Sequence, residues 1–381
     1  MNVYFDNAAS TKLDPRVLEA MMPYFTDYFG NPSSIHKEGK FLKVLVEDAR
    51  ELIASFLGVK PKEVFFTSGG TEANNFAIKG LAFSNPDKSK NHIITSSVEH
   101  PAVIDSIIYL KNFGYRVSFA APDKSGIIHP AEIERLITPE TLLVSIMHAN
   151  NELGSVNDVK AISSICRKHG VRFHSDTVQS VGKTEVKPKE LGLDFMTMSA
   201  HKFYGPKGVG ILFKDENVRI DKYFHGGGQE RDMRGGTENV PGIAGLSKAV
   251  EILESSMNDD IEHYKRINAS VRNELNAAFG GDVIYNSDEK NSLPNILNVT
   301  FNPDRLKVPI GLLPVKLDLS GISVSGGSAC SSGSLKPSRV LLETGMDERL
   351  ALSSIRISAG RFNIDEDVKK LIDVLKNILS A

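Results

Sequence analysis

The chain has 381 residues, of which 41% are hydrophobic and 24% are charged, a balance typical of a soluble globular protein of two or three domains. Its 45 basic and 47 acidic residues give a net charge of −2, which excludes an overall attraction to nucleic acid. No apolar run approaches the roughly 18 residues of a membrane helix, and the N-terminus has no signal-peptide pattern. Two cysteines are too few for a disulfide framework or a structural metal site, so we expect a cytoplasmic protein without a bound metal.

Short β-rich runs alternate with helical patterns between residues 60 and 215. The predicted strands are 63–67, 92–95, 115–119, 142–147, 171–176, 194–198 and 208–213, and the predicted helices are 71–81, 101–111, 130–136 and 159–169. This alternation predicts an α/β fold whose mostly parallel sheet is covered by helices on both faces. In such sheets the ligand lies beyond the carboxyl ends of the strands.

The last third of the chain has a different pattern. Apolar residues at three- and four-residue steps predict a long amphipathic helix over 259–279, followed by strands at 295–301 and 321–325 and a helix at 366–379. We interpret this part as a smaller α+β domain. The predicted division is a large domain of residues 15–258 and a small domain of residues 1–14 plus 259–381.

One lysine, Lys202, lies in a short polar connection between two predicted strands. A lysine in a partly dry pocket can have a lowered pKa, and its amine can then form a Schiff base with an aldehyde. Taken alone, a solvated lysine in a turn is the commoner interpretation. The residues at the other strand ends decide between the two.

Glycines and a threonine follow the first predicted strand, at the start of a helix. Gly70 and Thr71 would place free backbone N–H groups and the positive end of a helix dipole beside a phosphate, although a plain helix cap would use the same residues. A glycine-rich loop at 225–239 adds Arg231, Arg234 and Thr237, which also suit a phosphate. The spacing is not that of a Walker motif.

Polar side chains follow three further predicted strands. His100 could stack on a flat ring, Asn151 could orient a polar ligand, and Asp176 could face a cation, with Gln179 three residues later. Capping and turn roles remain open for each of these residues taken singly. A Schiff-base lysine, a carboxylate, a phosphate cradle and a stacking histidine together indicate pyridoxal 5′-phosphate, whose ring nitrogen needs an acidic partner.

Cys330 lies among small residues at 325–334, where we expect an accessible and reactive thiolate. Cys166 lies instead on a predicted amphipathic helix and is interpreted as structural. Arg356 lies within an apolar, strand-like run, where its guanidinium could bind a substrate carboxylate through several N–H donors.

Across essentially its whole length the sequence resembles the NifS/IscS-type cysteine desulfurases, which have the class V aminotransferase fold (PLP fold type I). The motifs that carry the resemblance are residues 4–11, 30–34, 67–72, 148–152, 199–202, 234–239, 328–330 and 353–356. The resemblance implies that Lys202 carries the cofactor, that Cys330 takes the sulfur and that His100 stacks on the ring. It further implies that Asn151 and Arg356 bind the substrate carboxylate. The implied cofactor contacts are Gly70, Thr71, Asn151, Asp176, Gln179, Ser199 and His201. They are joined by Thr237 from the other subunit of a homodimer.

The implied reaction converts L-cysteine to L-alanine and leaves a persulfide on Cys330, which then passes to a sulfur-acceptor protein such as an iron–sulfur scaffold. Iron–sulfur assembly, tRNA thiolation and cofactor synthesis remain open as destinations. Two alternatives remain: a selenocysteine lyase or other class V enzyme, and a non-catalytic scaffold of the same fold.

Overall fold

The computed structural model describes residues 2–326 and 336–379. Its strands are β1 (Val3–Tyr4), β2 (Val64–Thr67), β3 (His92–Ser96), β4 (Arg116–Ala120), β5 (Thr141–Ser145), β6 (Arg172–Asp176), β7 (Phe195–Ser199), β8 (Gly210–Lys214), β9 (Val283–Tyr285), β10 (Ile296–Phe301), β11 (Ile322–Ser323) and β12 (Ser354–Ser358). Its α-helices are α1 (Pro15–Met21), α2 (Pro23–Thr26), α3 (Lys37–Leu57), α4 (Gly70–Ser84), α5 (Pro101–Leu110), α6 (Pro130–Leu136), α7 (Val159–Lys168), α8 (Pro188–Leu191), α9 (Gln229–Asp232), α10 (Val240–Phe279), α11 (Leu313–Leu319), α12 (Arg339–Glu343), α13 (Glu348–Leu352) and α14 (Asp365–Ile378).

A seven-stranded sheet with the order β2-β8-β7-β6-β5-β3-β4 forms the centre of the molecule. All of its strands are parallel except β8, which is antiparallel to both of its neighbours. The predicted α/β fold with a mostly parallel sheet is therefore confirmed, and each predicted strand of this sheet ends within two residues of the observed one.

Alternate residues of these strands pack in two different hydrophobic cores, because successive side chains of a strand point to opposite faces of the sheet. Phe65, Ile93 and Leu143 pack with α4 and α5 on one face. Val64, Ile94 and Val144 pack with α3, α7 and α10 on the other. Both faces of the sheet are thus buried, which explains the apolar runs of strands such as β5 and β8.

A separate core lies around the three-stranded antiparallel sheet β9-β10-β12. N-terminal Val3 and Phe5 pack into it together with residues of α14, and β1 pairs with β11 in parallel. The place of Val3 and Phe5 agrees with grouping residues 1–14 with the last third of the chain, whereas Val340, Leu341 and Ala351 pack in the core of the large sheet. The division into residues 15–258 and residues 1–14 plus 259–381 stays a proposal. No helix within the described residues is long and apolar enough to cross a membrane.

Helix α10 connects the two cores. Its first half, including Ile243 and Leu246, packs beside the large sheet, and Ile267 and Leu275 pack in the second core. The predicted start of this helix at residue 259 is wrong, because the helix begins at Val240. Pro241 resembles a helix breaker in the sequence, but in the first helical turn it loses only a hydrogen bond that would be absent anyway.

A buried ion pair fixes the glycine-rich loop against the edge of the large sheet. Arg50 Nη1 and Nη2 donate to the Glu230 carboxylate at 2.8 Å each, and both side chains are almost fully buried. Glu230 also accepts from the Phe66 N–H of the edge strand β2 at 2.8 Å. Glu230 and Arg231 have φ of 47° and 57°, a left-handed conformation that costs about 1 kcal/mol or more for each such residue. The ion pair therefore holds a strained turn in place.

We expect Arg50→Met to lower the free energy of unfolding by about 3–5 kcal/mol, because it leaves the buried Glu230 carboxylate without its partner. Urea denaturation followed by circular dichroism measures this loss. The matched control is Arg266→Met, since Arg266 and Asp365 form an exposed pair at 2.7 Å and its removal should cost less than about 1 kcal/mol. Equal losses in the two variants would contradict the structural role of the buried pair.

Candidate active site

The carboxyl ends of β2, β3, β5, β6 and β7 meet at one edge of the large sheet, where a cavity of about 390 Å³ opens. Residues that follow these strands line it, as do β12 of the second core and the N-terminal segment. The lining residues are Ala8, Ala9, Gly70, Thr71, Asn74, His100, Met147, Ala149, Asn151, Asp176, Val178, Gln179, Ser199, His201, Lys202 and Arg356.

Glycines shape the wall at the start of α4. Gly69 has φ of 144°, which side chains of L-residues rarely adopt, and no side chain caps the helix that follows. A Cβ on Gly70 would lie 2.9 Å from a Val178 methyl carbon. A Cβ on Gly210 of the neighbouring strand would lie 2.7 Å from the Gly69 Cα. The start of this helix therefore borders the cavity beside Ser199, and the uncapped N–H groups of a helix start suit an anion.

Asp176 is the last residue of β6 and is buried at the cavity wall. Its Oδ2 accepts from Asn74 Nδ2 at 2.7 Å, and its Oδ1 accepts from the Val178 N–H at 2.9 Å. Gln179 Nε2 donates to the Ala8 carbonyl at 2.9 Å, and Gln179 Oε1 is buried with no partner among the described residues. The site thus contains a fixed carboxylate and an amide oxygen without a partner among the described residues, and both can accept hydrogen bonds from a polar ligand.

Lys202 lies in the turn that follows β7, with its amine in the cavity. Nζ donates to the carbonyl oxygens of Ala8 and Ala9 at 2.6 and 2.8 Å. The pKa of Lys202 is lowered to about 8, first by burial and then by the Arg356 guanidinium, while the Asp176 and Asp6 carboxylates act in the opposite direction. A larger fraction of this amine is therefore neutral near pH 7 than of an ordinary lysine.

Two histidines beside the cavity are kept uncharged. Burial lowers the pKa of His201 to about 4, helped by the positive charges of Lys202, Lys207 and Lys183. Burial also lowers the pKa of His100, whose Nδ1 accepts from the Ala102 N–H at 3.1 Å and caps α5. A neutral imidazole can stack on a ring or accept a hydrogen bond without adding charge to the site.

The second core contributes one cation to the cavity. Arg356 of β12 donates from Nη1 to the Asn151 carbonyl at 2.7 Å and from Nη2 to Asp6 Oδ1 at 2.7 Å. It is mostly buried, and its planar donors suit a carboxylate. The cavity therefore combines an anion site, a carboxylate, an amine and a guanidinium.

Comparison with known sequences identifies the family. The sequence model described as aminotransferase class-V matches residues 3–371. The chain is 43% identical over 377 residues to a Dictyoglomus turgidum protein named cysteine desulfurase IscS, a match covering 99% of this chain and 94% of that protein. This chain belongs to the class V aminotransferase family. A Methanosarcina thermophila protein of the same name is 42% identical over 379 residues, covering 99% of this chain and 92% of that protein.

Solved structures of this family have the same fold. One described as a NifS-like protein matches with a TM-score of 0.92 and 37% identity, covering 99% of both chains. One described as SspA in complex with cysteine matches with a TM-score of 0.80 and 36% identity, covering 95% of this chain and 100% of that chain. The chain therefore has the fold type I architecture of pyridoxal-phosphate enzymes.

The class V family depends on pyridoxal 5′-phosphate, and the cavity fits this cofactor. The glycine-shaped start of α4 offers N–H groups to a phosphate, and a Cβ at Gly70 would narrow that space. The buried Asp176 carboxylate suits a protonated ring nitrogen, and Gln179, whose Oε1 has no partner among the described residues, lines the same cavity. The donor set thus matches both ends of the cofactor.

Most residues expected at the site from the sequence line this one cavity: Gly70, Thr71, His100, Asn151, Asp176, Gln179, Ser199, His201, Lys202 and Arg356. Their individual roles remain proposals. Thr237 lies instead in a separate depression with Gly208 and Asn239. Cys330 lies outside the described residues.

The suggestion that Arg231 and Arg234 bind a phosphate does not hold. Arg234 donates to both oxygens of Glu72, at 2.9 and 3.2 Å, and Arg231 pairs with Glu47 at 3.3 Å. These carboxylates are far from the arginines in the chain, so the pairing could not be predicted from the sequence.

Several residues of the site were missed from the sequence. Asn74, which holds Asp176, lies one helical turn after Thr71, so helical spacing could have identified it. The carbonyls of Ala8 and Ala9 carry no side-chain pattern. Lys183 is fully buried and donates to the Lys202 carbonyl oxygen, and burial lowers its pKa to about 7.

We expect Arg356→Met to raise the pKa of Lys202 in the cofactor-free protein and Asp176→Asn to lower it. Loss of the guanidinium removes a repulsion that disfavours the ammonium, and loss of the carboxylate removes an attraction that favours it. Competitive acylation with limiting acetic anhydride, read by peptide mass spectrometry as a function of pH, measures the midpoint, which should lie near pH 8 in the unmodified chain.

The matched control for this experiment is Arg349→Met. Arg349 is exposed and pairs with Asp304 at 2.7 Å, outside the cavity lining, so its loss should leave the Lys202 midpoint in place. Movement of the midpoint in the same direction in both cavity variants would contradict the electrostatic assignment.

Proposed function

We propose that this protein is a pyridoxal-phosphate-dependent cysteine desulfurase that converts L-cysteine to L-alanine and leaves the sulfur as a persulfide on Cys330. The observation that carries the proposal is that Lys202, Asp176 and Arg356 share one cavity, although they come from separate parts of the chain. Full-length relatives named cysteine desulfurase and a structural relative in complex with cysteine support it.

The path of the chain supports a role for Cys330 at this cavity. Ser325 Oγ accepts from Arg356 Nη2 at 2.9 Å, so the segment that leads to the cysteine starts beside the cavity wall. Cys330 is five residues further on, and five residues extend by at most about 18 Å. After the undescribed segment, Arg339 donates to the carbonyls of Ser97 and Glu99, next to His100. Both flanks of the cysteine segment are therefore tied to the site.

Each binding residue has a defined part in the proposal. Thr71, Ser199, His201 and the N–H groups at Gly70 would hold the phosphate, Asp176 the ring nitrogen and Gln179 the phenolic oxygen. His100 would stack on the ring. Asn151 and Arg356 would hold the substrate carboxylate, which places the amino acid with its α-carbon toward Lys202.

The reaction divides between an amine and a thiolate. Bound pyridoxal phosphate acts as an electron sink that makes the α-proton of the amino acid removable. Lys202 Nζ takes that proton, and a lowered pKa favours the neutral form that does so. The Cys330 thiolate attacks the substrate sulfur, so that an S–S bond forms as the carbon–sulfur bond breaks with its electron pair left on carbon. Protons return to the carbon skeleton and alanine leaves, with no outside oxidant or reductant.

The persulfide would then pass to a sulfur-acceptor protein, for which an iron–sulfur scaffold is our first candidate. We place this activity in the cytoplasm, where reducing conditions keep Cys330 as a free thiol.

The functional unit proposed here is a homodimer. Large apolar side chains are exposed over residues 18–44, with Phe29 83% and Ile35 89% exposed. Several of them pack against one another, as Tyr28 and Phe41 do with ring centroids 4.7 Å apart. An apolar face of this kind is typical of a protein interface. In a dimer, Thr237 of one subunit would reach the phosphate in the other subunit.

We expect Cys330→Ala to abolish alanine release from L-cysteine, to below about 1% of the unmodified rate, because no other thiol would replace it as the sulfur acceptor. Coupled detection of alanine and of sulfide in the presence of dithiothreitol measures both products. Cys166→Ala is the matched control: Cys166 is buried, and burial raises the pKa of its thiol to about 12, so activity should persist. Full turnover in Cys330→Ala would favour another class V enzyme, such as a transaminase.

We expect the double substitution Phe29→Asp with Ile35→Asp to give monomers, as measured by sedimentation velocity, and to weaken cofactor binding. We expect Thr237→Ala to weaken cofactor binding too, but to leave the dimer intact. Loss of one hydrogen bond to a charged phosphate should weaken the affinity about tenfold. Phe83→Asp changes an exposed aromatic residue elsewhere and should leave the dimer intact. A monomeric unmodified protein, or unchanged affinity in Thr237→Ala, would contradict the proposal.

A further inference from the structure

A closed set of hydrogen bonds lies behind the cavity, formed by Asp6, Ser325 and Arg356. Arg356 Nη2 donates to Asp6 Oδ1 at 2.7 Å and to Ser325 Oγ at 2.9 Å. The Ser325 hydroxyl donates to the same Asp6 oxygen at 2.8 Å. Each of the three side chains therefore contacts the other two.

The three residues are also joined through the backbone. Asp6 forms a β-bridge with Ser358, and the Arg356 N–H donates to the Ser325 carbonyl at 2.7 Å, with the reverse bond at 3.2 Å. The Asp6 carboxylate is thus presented from a fixed segment immediately after β1. A carboxylate on a fixed backbone can hold a flexible arginine in a single orientation.

The donors of Arg356 are divided between the protein and the cavity. A guanidinium has five N–H donors, and the bonds to Asp6, Ser325 and the Asn151 carbonyl use three of them. Arg356 Nε is buried and has no partner among the described residues. The three bonds therefore hold the side chain in place, and the second N–H of Nη1 is left for a ligand in the cavity that Arg356 lines.

We propose that Asp6 is a positioning residue for recognition of the substrate α-carboxylate: it holds the Arg356 guanidinium in the orientation in which it meets the amino acid. This inference rests on the proposed function, since it assumes that Arg356 meets a substrate carboxylate. Asp6 acts through Arg356 and does not itself line the cavity. Through Ser325 the same carboxylate connects Arg356 to the start of the cysteine segment.

The orientation of the arginine matters because displacing a binding group by about 1 Å strongly lowers the rate of the reaction that it supports. Without Asp6, the guanidinium could also turn toward the Asp176 carboxylate, which lines the same cavity. The expected loss is specific to ligands that carry a carboxylate. Cysteamine, which is cysteine without its carboxylate, is the matched probe.

The experiment compares the unmodified holoenzyme with Asp6→Ala and Asp6→Asn. We expect Asp6→Ala to raise the KM for L-cysteine at least about tenfold with a smaller change in kcat, and Asp6→Asn to raise it about threefold, since an amide oxygen still accepts hydrogen bonds. The inhibition constant of cysteamine against L-cysteine should change by less than about twofold in both variants. Asp304→Ala, which removes the exposed partner of Arg349, should change neither constant.

Equilibrium binding of L-alanine to the holoenzyme, measured by calorimetric titration, tests the same inference without turnover. Binding should weaken by the same factor as the KM rises, and thermal unfolding of the variants reports any loss of fold. A parallel rise for cysteine and cysteamine, with a lowered melting temperature, would assign Asp6 a purely structural role. A lowered KM would show that Asp6 competes with the substrate carboxylate, and either result would overturn the proposal. Failure of the unmodified protein to desulfurate cysteine would overturn the proposed function alone, since alanine binding still tests Asp6.

Discussion

The structure depends on keeping several charges together at a largely buried site. Lys202, Arg356, Asp176 and Asp6 influence one another electrostatically around the cavity, and burial alone would favour the neutral forms of the ionisable groups. The arrangement is tolerated because each group has fixed partners: carbonyls for the amine, Asn74 for one carboxylate and Ser325 for the other. These partners come from different segments, so the site exists only when the whole chain is folded.

The two ends of the chain meet at this site. Residues 6–9 provide the carbonyls and the carboxylate that hold Lys202 and Arg356, and Arg356 itself comes from the last third of the chain. Helix α10 extends from the large sheet into the second core, which fixes the distance between them. A cavity between two cores joined in this way can bind a ligand by contacts from both, while the glycines at the start of α4 leave room for it.

The sequence predicted the alternating sheet well because buried parallel strands are short, apolar and separated by amphipathic helices. It predicted the site residues through a simple rule, that strand ends of a parallel sheet share one edge. It failed where the partner of a residue is remote in the chain. Arg234 resembled a phosphate ligand because nothing in the sequence shows that Glu72 binds it. The start of α10 was misplaced because the charge-laced amphipathic pattern begins only at residue 259, whereas the first half of the helix is mostly apolar and packs beside the large sheet.

The sequence by itself determined the fold class and singled out the lysine, the acidic partner and the cysteine whose roles are proposed here, because each of these depends on local patterns and on residue chemistry. Only the tertiary structure decided which groups hold them: the carbonyls of Ala8 and Ala9, the amide of Asn74 and the carboxylate of Asp6. Backbone carbonyls have no identity in a sequence, and the bond from Asp6 to Arg356 joins residues at opposite ends of the chain. Contacts of this kind arise from packing, so they become visible only when the two cores are placed side by side.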